Sequence, residues 1–462
     1  MDQLLEQTAV KHFGIRYLYP YQQLVIRNIL EDNKSQLVIL PTGAGKSLCF
    51  MLPALLLPGI TLIVYPLLSL ISDQFNRLNQ AGIHAEVLRG GQSRQERKRL
   101  FTRLHDHGHA VLLTNPEMLC SRSMRKALSS LQISHLVIDE AHTVIEWGDT
   151  FRPAYRQLGE IINFLRPESV TAFTATASDR VIDRIRNELF TEREMHLIHG
   201  SPDRPNIYYQ VIPSIAKEHD LFRLLTHPAA ERPTIVFCAR RDTAEMLALE
   251  FRIRLQEDQL LSYHGGMNSE NRRDIEQWFH SSLDGILFAT KAFGLGIDKK
   301  NVRSVIHFDL SESASAYLQE SGRAGRDGKR AYASLLVRED EIEKITDPAL
   351  RRYVTEQEVC RRVTLNRDFS PREPESCFGC DICASQVITQ PDGLFELNRL
   401  LANHHPADVC DIASGSMSVS SMRRRLYRLR GFGILSCWER EDIRRALSYL
   451  GKTQGSTIAD EA

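Results

Sequence analysis

The chain has 462 residues, 42% of them hydrophobic and 25% charged, and its 58 Lys plus Arg equal its 58 Asp plus Glu. These proportions suit a folded protein of about three domains and exclude a chain that is mainly disordered or fibrous. No run approaches the roughly 18 apolar residues needed to cross a bilayer, and the start, MDQLLEQTAVKHFG, lacks a basic segment leading into an apolar core. A cytoplasmic protein with no membrane partner is expected, and because the net charge is zero, any surface that tracks phosphates must be local.

The first strong element is the apolar run Leu37-Val38-Ile39-Leu40, followed by Pro41-Thr42-Gly43-Ala44-Gly45-Lys46-Ser47 and an apolar helix from near Leu48. A strand, a glycine turn and a helix N-terminus together form a phosphate cradle. Gly43 and Gly45 allow close backbone approach, amides from Thr42 to Ser47 face the phosphates, Lys46 reaches the β/γ oxygens and Ser47 the metal. The general Gly-x-x-x-x-Gly-Lys-Ser/Thr pattern wants glycine at position 40, where Leu40 stands.

Further strands are expected near Thr61, Val111, Leu136 and Val170. The strand at Leu136 delivers Asp139-Glu140-Ala141-His142 at its C-terminal end, where open α/β sheets bind ligands. Asp139 is the expected Mg²⁺ partner, Glu140 the orienter of attacking water, and His142 a sensor of the nucleotide state. Close behind come Trp147, Phe151, Arg152 and Tyr155, interrupted by Gly148 and Pro153, which predicts a shaped loop rather than a regular helix. A nucleobase could stack there, at about 1–3 kcal/mol per contact, and packing of the same rings into the lobe interior is the alternative.

Around Gly200-Ser-Pro-Asp-Arg-Pro-Asn206 a proline-rich hinge is predicted, after which the strand and helix pattern restarts, with strands near Thr234–Cys238, Gly285–Ala289 and Ser304–Phe308. The end of this second unit carries Gln319, Arg323 and Arg326, and the two guanidiniums share one face if helical. Arg326 is the leading candidate to meet a γ-phosphate held by the first unit, supported by Arg323 and Gln319.

Cys360, Cys377, Cys380 and Cys383 follow with C-x₁₆-C-x₂-C-x₂-C spacing. Four thiolates in a reducing compartment favour a closed structural Zn²⁺ site, with an iron–sulfur cluster the alternative. The other five cysteines, Cys49, Cys120, Cys238, Cys410 and Cys437, read as buried thiols. Beyond them, Leu394–Ala402 and Met422–Leu429 read as amphipathic helices, Gly431–Trp438 as a turn and strand, and 453–462 as a loose tail. Five arginines between Arg423 and Arg430 could grip phosphates.

In this order the motifs resemble the RecQ family of superfamily-two DNA helicases, from about Phe13 to Cys383. The resemblance rests on Phe13-Gly14 with Gln22, PTGAGKS, TLIVYPLLSLISDQ, DEAH, WGDTFRPAY, Thr174–Ala177, ATKAFGLGIDKKNVRSVIHFD and QESGRAGRDG. It implies an α/β fold of two RecA-like lobes, 1–200 and 201–345, a helical zinc subdomain at 346–392 and a small helical module at 393–462, read loosely as a reduced winged helix. It also implies that Gln22 reads adenine and that the aromatic loop couples single-stranded DNA to hydrolysis. ATP, Mg²⁺ and Zn²⁺ are the implied cofactors, and single-stranded and forked DNA the implied partners of a monomeric 3′ to 5′ helicase of repair or recombination. Tyr19 stands where the family commonly has arginine, which alters the expected adenine stacking. The residues themselves leave open an RNA helicase, a duplex translocase, or a non-enzymatic zinc-stabilised DNA-binding protein.

Overall fold

Two wholly parallel sheets organise the chain, as seen in a computed structural model that describes residues 2–31, 34–41, 43–107, 109–148, 153–293, 299–370, 377 and 379–459. The first contains β1 (Gln36–Ile39), β2 (Gly59–Val64), β3 (Ala85–Val87), β4 (His109–Thr114), β5 (Ile133–Ile138), β6 (Ser169–Thr174) and β7 (His196–His199), in spatial order β3-β4-β2-β5-β6-β1-β7. The second contains β8 (Ile207–Pro213), β9 (Thr234–Phe237), β10 (Leu260–Tyr263), β11 (Ile286–Ala289), β12 (Ser304–His307) and β13 (Ala331–Val337), in order β10-β11-β9-β12-β13-β8.

Parallel strands need both faces covered, so they read as continuous apolar runs rather than alternating ones. Along β1, Leu37 and Ile39 enter the core on one face while Val38 enters the core on the other, and β2 divides Leu62 and Val64 from Ile63 in the same way. The strands placed from sequence in the two lobes are all present. Those missed are β3, β7, β8, β10 and β13, which are short, half-exposed or, like the tyrosine-containing β8, mixed in character.

The chain around the cysteine cluster docks on β8, an outermost strand. Cys380 forms a parallel bridge to Tyr209, the Asp381 N–H donates to the Tyr209 carbonyl at 3.0 Å, and the Val211 N–H donates to the Asp381 carboxylate at 3.1 Å. Buried Arg361 donates to the same carboxylate at 2.9 Å and to the Tyr353 carbonyl at 2.8 Å.

The C-terminal module buries Leu394, Leu397, Leu400, Ile412, Trp438 and Ile443 against Ile215 and Ala216. Four sequence expectations change here. Met422–Leu429 is not one helix, because Val419–Arg423 ends before Arg425, whose φ of +56° is left-handed, and a single 3₁₀ turn follows. The strand expected at Gly431–Trp438 is a series of turns, because the Gly433 and Leu435 amides bond the Ile412 and Ala413 carbonyls at the end of the helix Pro406–Ser414. The module is therefore helical, with no wing strand among the described residues. The tail expected to be loose continues as helix to Ala459, and Cys437, expected buried, is exposed. No helix among the described residues is long and apolar enough to cross a membrane.

Candidate nucleotide site between the lobes

Strand order explains how distant motifs meet. Because β5, β6 and β1 lie side by side, the loops leaving their C-terminal ends are neighbours. The loop after β1 carries Gly43, Ala44 and Gly45 into the helix Lys46–Ala54, with Gly43 at φ +84° and Gly45, the N-cap, at φ +75°. Both values lie where only glycine is unstrained, which leaves the amides at the helix N-terminus facing the cleft. Thr42 lies outside the described residues.

The Gln22 side chain holds this loop from behind. Its Nε2 donates to the Ala44 carbonyl at 3.1 Å, its Oε1 accepts from the Tyr19 N–H at 3.0 Å, and Tyr21 also donates to Ala44, at 3.0 Å. With both amide ends engaged by backbone and 4% exposure, Gln22 here braces the cradle. Tyr19 stacks on Tyr21 with centroids 5.4 Å apart, and its ring is more than half exposed.

Lys46 Nζ rests on the Leu40 carbonyl at 3.2 Å. Asp139, past the end of β5, is held by a bond from the Glu140 N–H at 3.0 Å. Burial, and then the neighbouring Glu140, push the Asp139 carboxyl up to about 7 despite Lys46 nearby. A buried carboxyl with a second carboxylate beside it is chemistry that a bound cation would stabilise. Glu140 itself has φ +51°, a left-handed value that a non-glycine residue adopts at a cost of about 1–3 kcal/mol.

A polar chain leads from this acid to the other lobe. His142 Nδ1 lies 3.5 Å from Glu140 Oε2 and 3.0 Å from Thr174 Oγ1, and the Thr174 hydroxyl donates to the Thr176 carbonyl at 3.1 Å. The Thr176 hydroxyl then meets Ser315 Oγ at 2.7 Å and accepts from Gln319 Nε2 at 3.4 Å. Ser315 and Gln319 belong to the helix Ala314–Ser321 of the second lobe.

Beyond that helix, Arg323 is buried, and burial followed by repulsion from Arg326 lowers its guanidinium to about 9. Gly43, Gly45, Lys46, Ser47, Asp139, Glu140, Gln319, Arg323 and Arg326 line one cleft of about 590 Å³. The same cleft includes Gln74 and Arg77 of the helix Leu68–Gln80, together with Lys300. Gln74 and Lys300 lie in quoted motifs but were given no role there, and Arg77 was not singled out; the fold brings all three to the cradle.

The aromatic cluster divides. Trp147 falls in a short helix, Thr143–Gly148, where an irregular loop was expected. Tyr155, in the 3₁₀ turn Pro153–Gln157, is 2% exposed and packs in the first-lobe core with Leu158 and Ile161. A ring so enclosed offers no face to a base, so of the two readings offered for it the structural one holds. The Trp147 side chain, Phe151 and Arg152 lie outside the described residues.

The sulfurs of Cys360, Cys377, Cys380 and Cys383 lie within 4.8 Å of one another, and those of Cys360 and Cys380 are 3.9 Å apart. Tetrahedral zinc with bonds near 2.3 Å would separate its sulfurs by about 3.8 Å, so the cluster is compatible with Zn²⁺. The arginine run of the C-terminal module is partly neutralised, since Arg424 pairs with Asp408 and Asp411.

Two α/β lobes, one carrying the glycine loop and the other the arginines that line the same cleft, define a two-lobed fold of the nucleotide-binding class. The DEAD/DEAH box helicase family matches residues 19–185, and the helicase conserved C-terminal domain matches residues 216–328. The ATP-dependent DNA helicase RecQ of Pasteurella multocida is 33% identical over 86% of this chain and 65% of its own length. The probable ATP-dependent DNA helicase RecS of Bacillus subtilis is 40% identical over 72% of this chain and 66% of its own, and the RecQ of Haemophilus influenzae 30% identical over 96% and 75%. This chain belongs to the RecQ family of helicases. It spans just under two thirds of the length of the Pasteurella and Bacillus relatives. Among solved structures, Mycobacterium smegmatis helicase Lhr bound to ssDNA and AMP-PNP has a TM-score of 0.57 at 23% identity, covering 72% of this chain and 47% of that one, a likeness of fold.

Proposed function

We propose that this chain is an ATP- and Mg²⁺-dependent DNA helicase that moves 3′ to 5′ along single-stranded DNA and separates forked duplexes as a monomer in the cytoplasm, in repair or recombination. The observation that carries the reading is one cleft lined by Lys46, Asp139 and Glu140 from one lobe and Gln319, Arg323 and Arg326 from the other. The named relatives are ATP-dependent DNA helicases, and polarity is taken from the family.

In this reading Thr42 to Ser47 bind the phosphates through backbone amides and Lys46, and Ser47 and Asp139 hold Mg²⁺, which would neutralise charge on the phosphates. Glu140 orients the attacking water, His142 carries its state to Thr174, and Gln22, the expected reader of adenine, also braces the phosphate loop through Ala44. Arg326, with Arg323, meets the charge that develops on the γ-phosphate. Trp147, Phe151 and Arg152 link DNA to this cycle, and lobe closure provides the step. The four cysteines hold a structural Zn²⁺, whose closed coordination leaves no position for catalysis. Residues 1–200 and 201–345 act as the lobes, 346–392 as the zinc subdomain and 393–462 as an accessory module.

Lys46→Ala and Glu140→Ala are expected to abolish ATP hydrolysis. Strand displacement on 3′-tailed and 5′-tailed forks, with zinc quantified in the same preparation, checks polarity and metal together. RNA activating hydrolysis better than single-stranded DNA would overturn the choice of substrate.

A further inference from the structure

The segment joining the lobes is clamped along its length. On one side the Cys₄ unit grips it: His199 Nε2 lies 2.9 Å from the Phe369 carbonyl, Ser370 Oγ 3.2 Å from Ser201 Oγ, and buried Arg362 donates through Nε to Asp203 at 2.9 Å, with a second bond completing a fork. On the other side it grips the arginine loop. Arg204 donates to the carbonyls of Gly322 at 2.9 Å, Ala324 at 3.2 Å and Gly325 at 2.8 Å. Asn206 Nδ2 donates to the Gly325 carbonyl at 2.8 Å and to that of Lys329 at 2.7 Å.

These carbonyls are not arbitrary. The Gly322 carbonyl belongs to the peptide that leads into Arg323, and the Gly325 carbonyl to the peptide that leads into Arg326. They also follow the end of the helix Ala314–Ser321, where backbone acceptors lack helical partners. A planar guanidinium can satisfy three such acceptors at once, which an ammonium on a flexible stem cannot do with the same geometry. Packing leaves no slack: at Gly325, with φ +57°, a Cβ would stand 2.4 Å from Asn206 Nδ2 and 2.7 Å from the Lys329 carbonyl oxygen. A third cation behind Arg323 and Arg326 is electrostatically unfavourable, so what Arg204 contributes is geometry rather than charge.

We propose that Arg204, seconded by Asn206, is a positioning residue for phosphoryl transfer: it fixes the peptides that aim Arg323 and Arg326 at the γ-phosphate, and the adjacent Asp203 ties that clamp to the Cys₄ unit through Arg362. This rests on the function proposed above. The interdomain segment then does more than connect, because a shift of the Cys₄ unit displaces the arginine loop directly. A misplacement of about 1 Å in such a group can cost on the order of a hundredfold in rate, whereas ground-state nucleotide binding is dominated by the other lobe.

The test is Arg204→Lys in the full chain, in the wild-type and Arg326→Ala backgrounds, measuring ATP hydrolysis at saturating single-stranded DNA and the affinity of a fluorescent ATP analogue. The expected result is a kcat at least about tenfold lower, with KM and analogue affinity within about twofold. In the Arg326→Ala background the same substitution should cause a smaller loss, the part that passes through Arg323. Unchanged kcat in the first background, an equal loss in both, or a parallel loss of nucleotide binding would overturn the inference. If Arg204→Lys does not fold, Asn206→Ser is read by the same criteria. A wild-type chain that fails to hydrolyse ATP would instead overturn the proposed function.

Discussion

The Arg326 side chain lies across Gly43, with its Cγ 3.7 Å from the point that a Cβ on Gly43 would occupy. An arginine of the second lobe thus covers the first glycine of the cradle, so the two halves of the site already touch at this point. Arg326→Ala is therefore expected to lower kcat by about 10³-fold while leaving nucleotide affinity nearly intact, because the lost contact is made to charge that develops during transfer. Steady-state hydrolysis beside equilibrium binding of a fluorescent analogue checks this, and an affinity loss as large as the rate loss would contradict it.

The hydroxyl contact between Thr176 and Ser315 joins the lobes directly, and Gln319 adds a second bond to the same oxygen. Ser315→Ala should weaken closure by about 1 kcal/mol, the net worth of such a bond, or roughly fivefold in the closed-to-open ratio. Fluorescence energy transfer between dyes on the two lobes, titrated with a non-hydrolysable nucleotide, would show the shift. Superimposable titrations would remove this contact from the mechanism.

Tyr155 and Trp147 should separate cleanly. Tyr155→Ala is expected to cost about 3–5 kcal/mol in urea unfolding through the cavity it leaves in the first lobe. Trp147→Ala is expected to leave basal hydrolysis in place and blunt its stimulation by DNA. If Tyr155→Ala were as stable as wild type and lost only the DNA response, the assignment of that ring to the core would be wrong.

Acids crowd the contact between the C-terminal module and the second lobe. Burial, and then the nearby Glu218, push the Asp442 carboxyl up to about 6, and burial pushes that of Asp220 to about 6 as well. A raised carboxyl pKa means that the folded state keeps a proton the unfolded chain releases, so stability falls as pH rises from about 3.8 through about 6. Asp442→Asn is expected to stabilise the protein at pH 8 by ~1 kcal/mol, discounted for solvent screening and the lost Arg445 pair, and to do little at pH 4.5. Thermal melts of both proteins across this range check the sign.

Much of the nucleotide site is legible in the chain because its parts are contiguous. Gly43 to Ser47 and Asp139 to His142 are each a single loop whose chemistry is fixed by residue type and spacing, and Gln319, Arg323 and Arg326 fall within one short stretch, although the helix Ala314–Ser321 ends before the two arginines. The partners that organise them are not legible. Ser315 lies 139 residues from Thr176, and Arg204 lies 118 to 121 residues from the carbonyls it holds. Aromatic rings are ambiguous for a different reason: the apolar surface that would let Tyr155 stack on a base also lets it pack in a core, and only the fold decides. The C-terminal module misleads because Gly433 and Leu435, which pattern as strand, find their backbone partners at a helix end.

The short bridge from Cys380 and Asp381 to β8 occupies the Tyr209 carbonyl and the Val211 amide on the outer edge of the second sheet, groups that would otherwise be open to another strand. Such an edge is a template for strand addition from another molecule. Stripping the proposed zinc from the four sulfurs should accordingly do more than loosen a small appendage. Chelated protein is expected to self-associate through that exposed border, so sedimentation and light scattering would report the loss before any unfolding signal does.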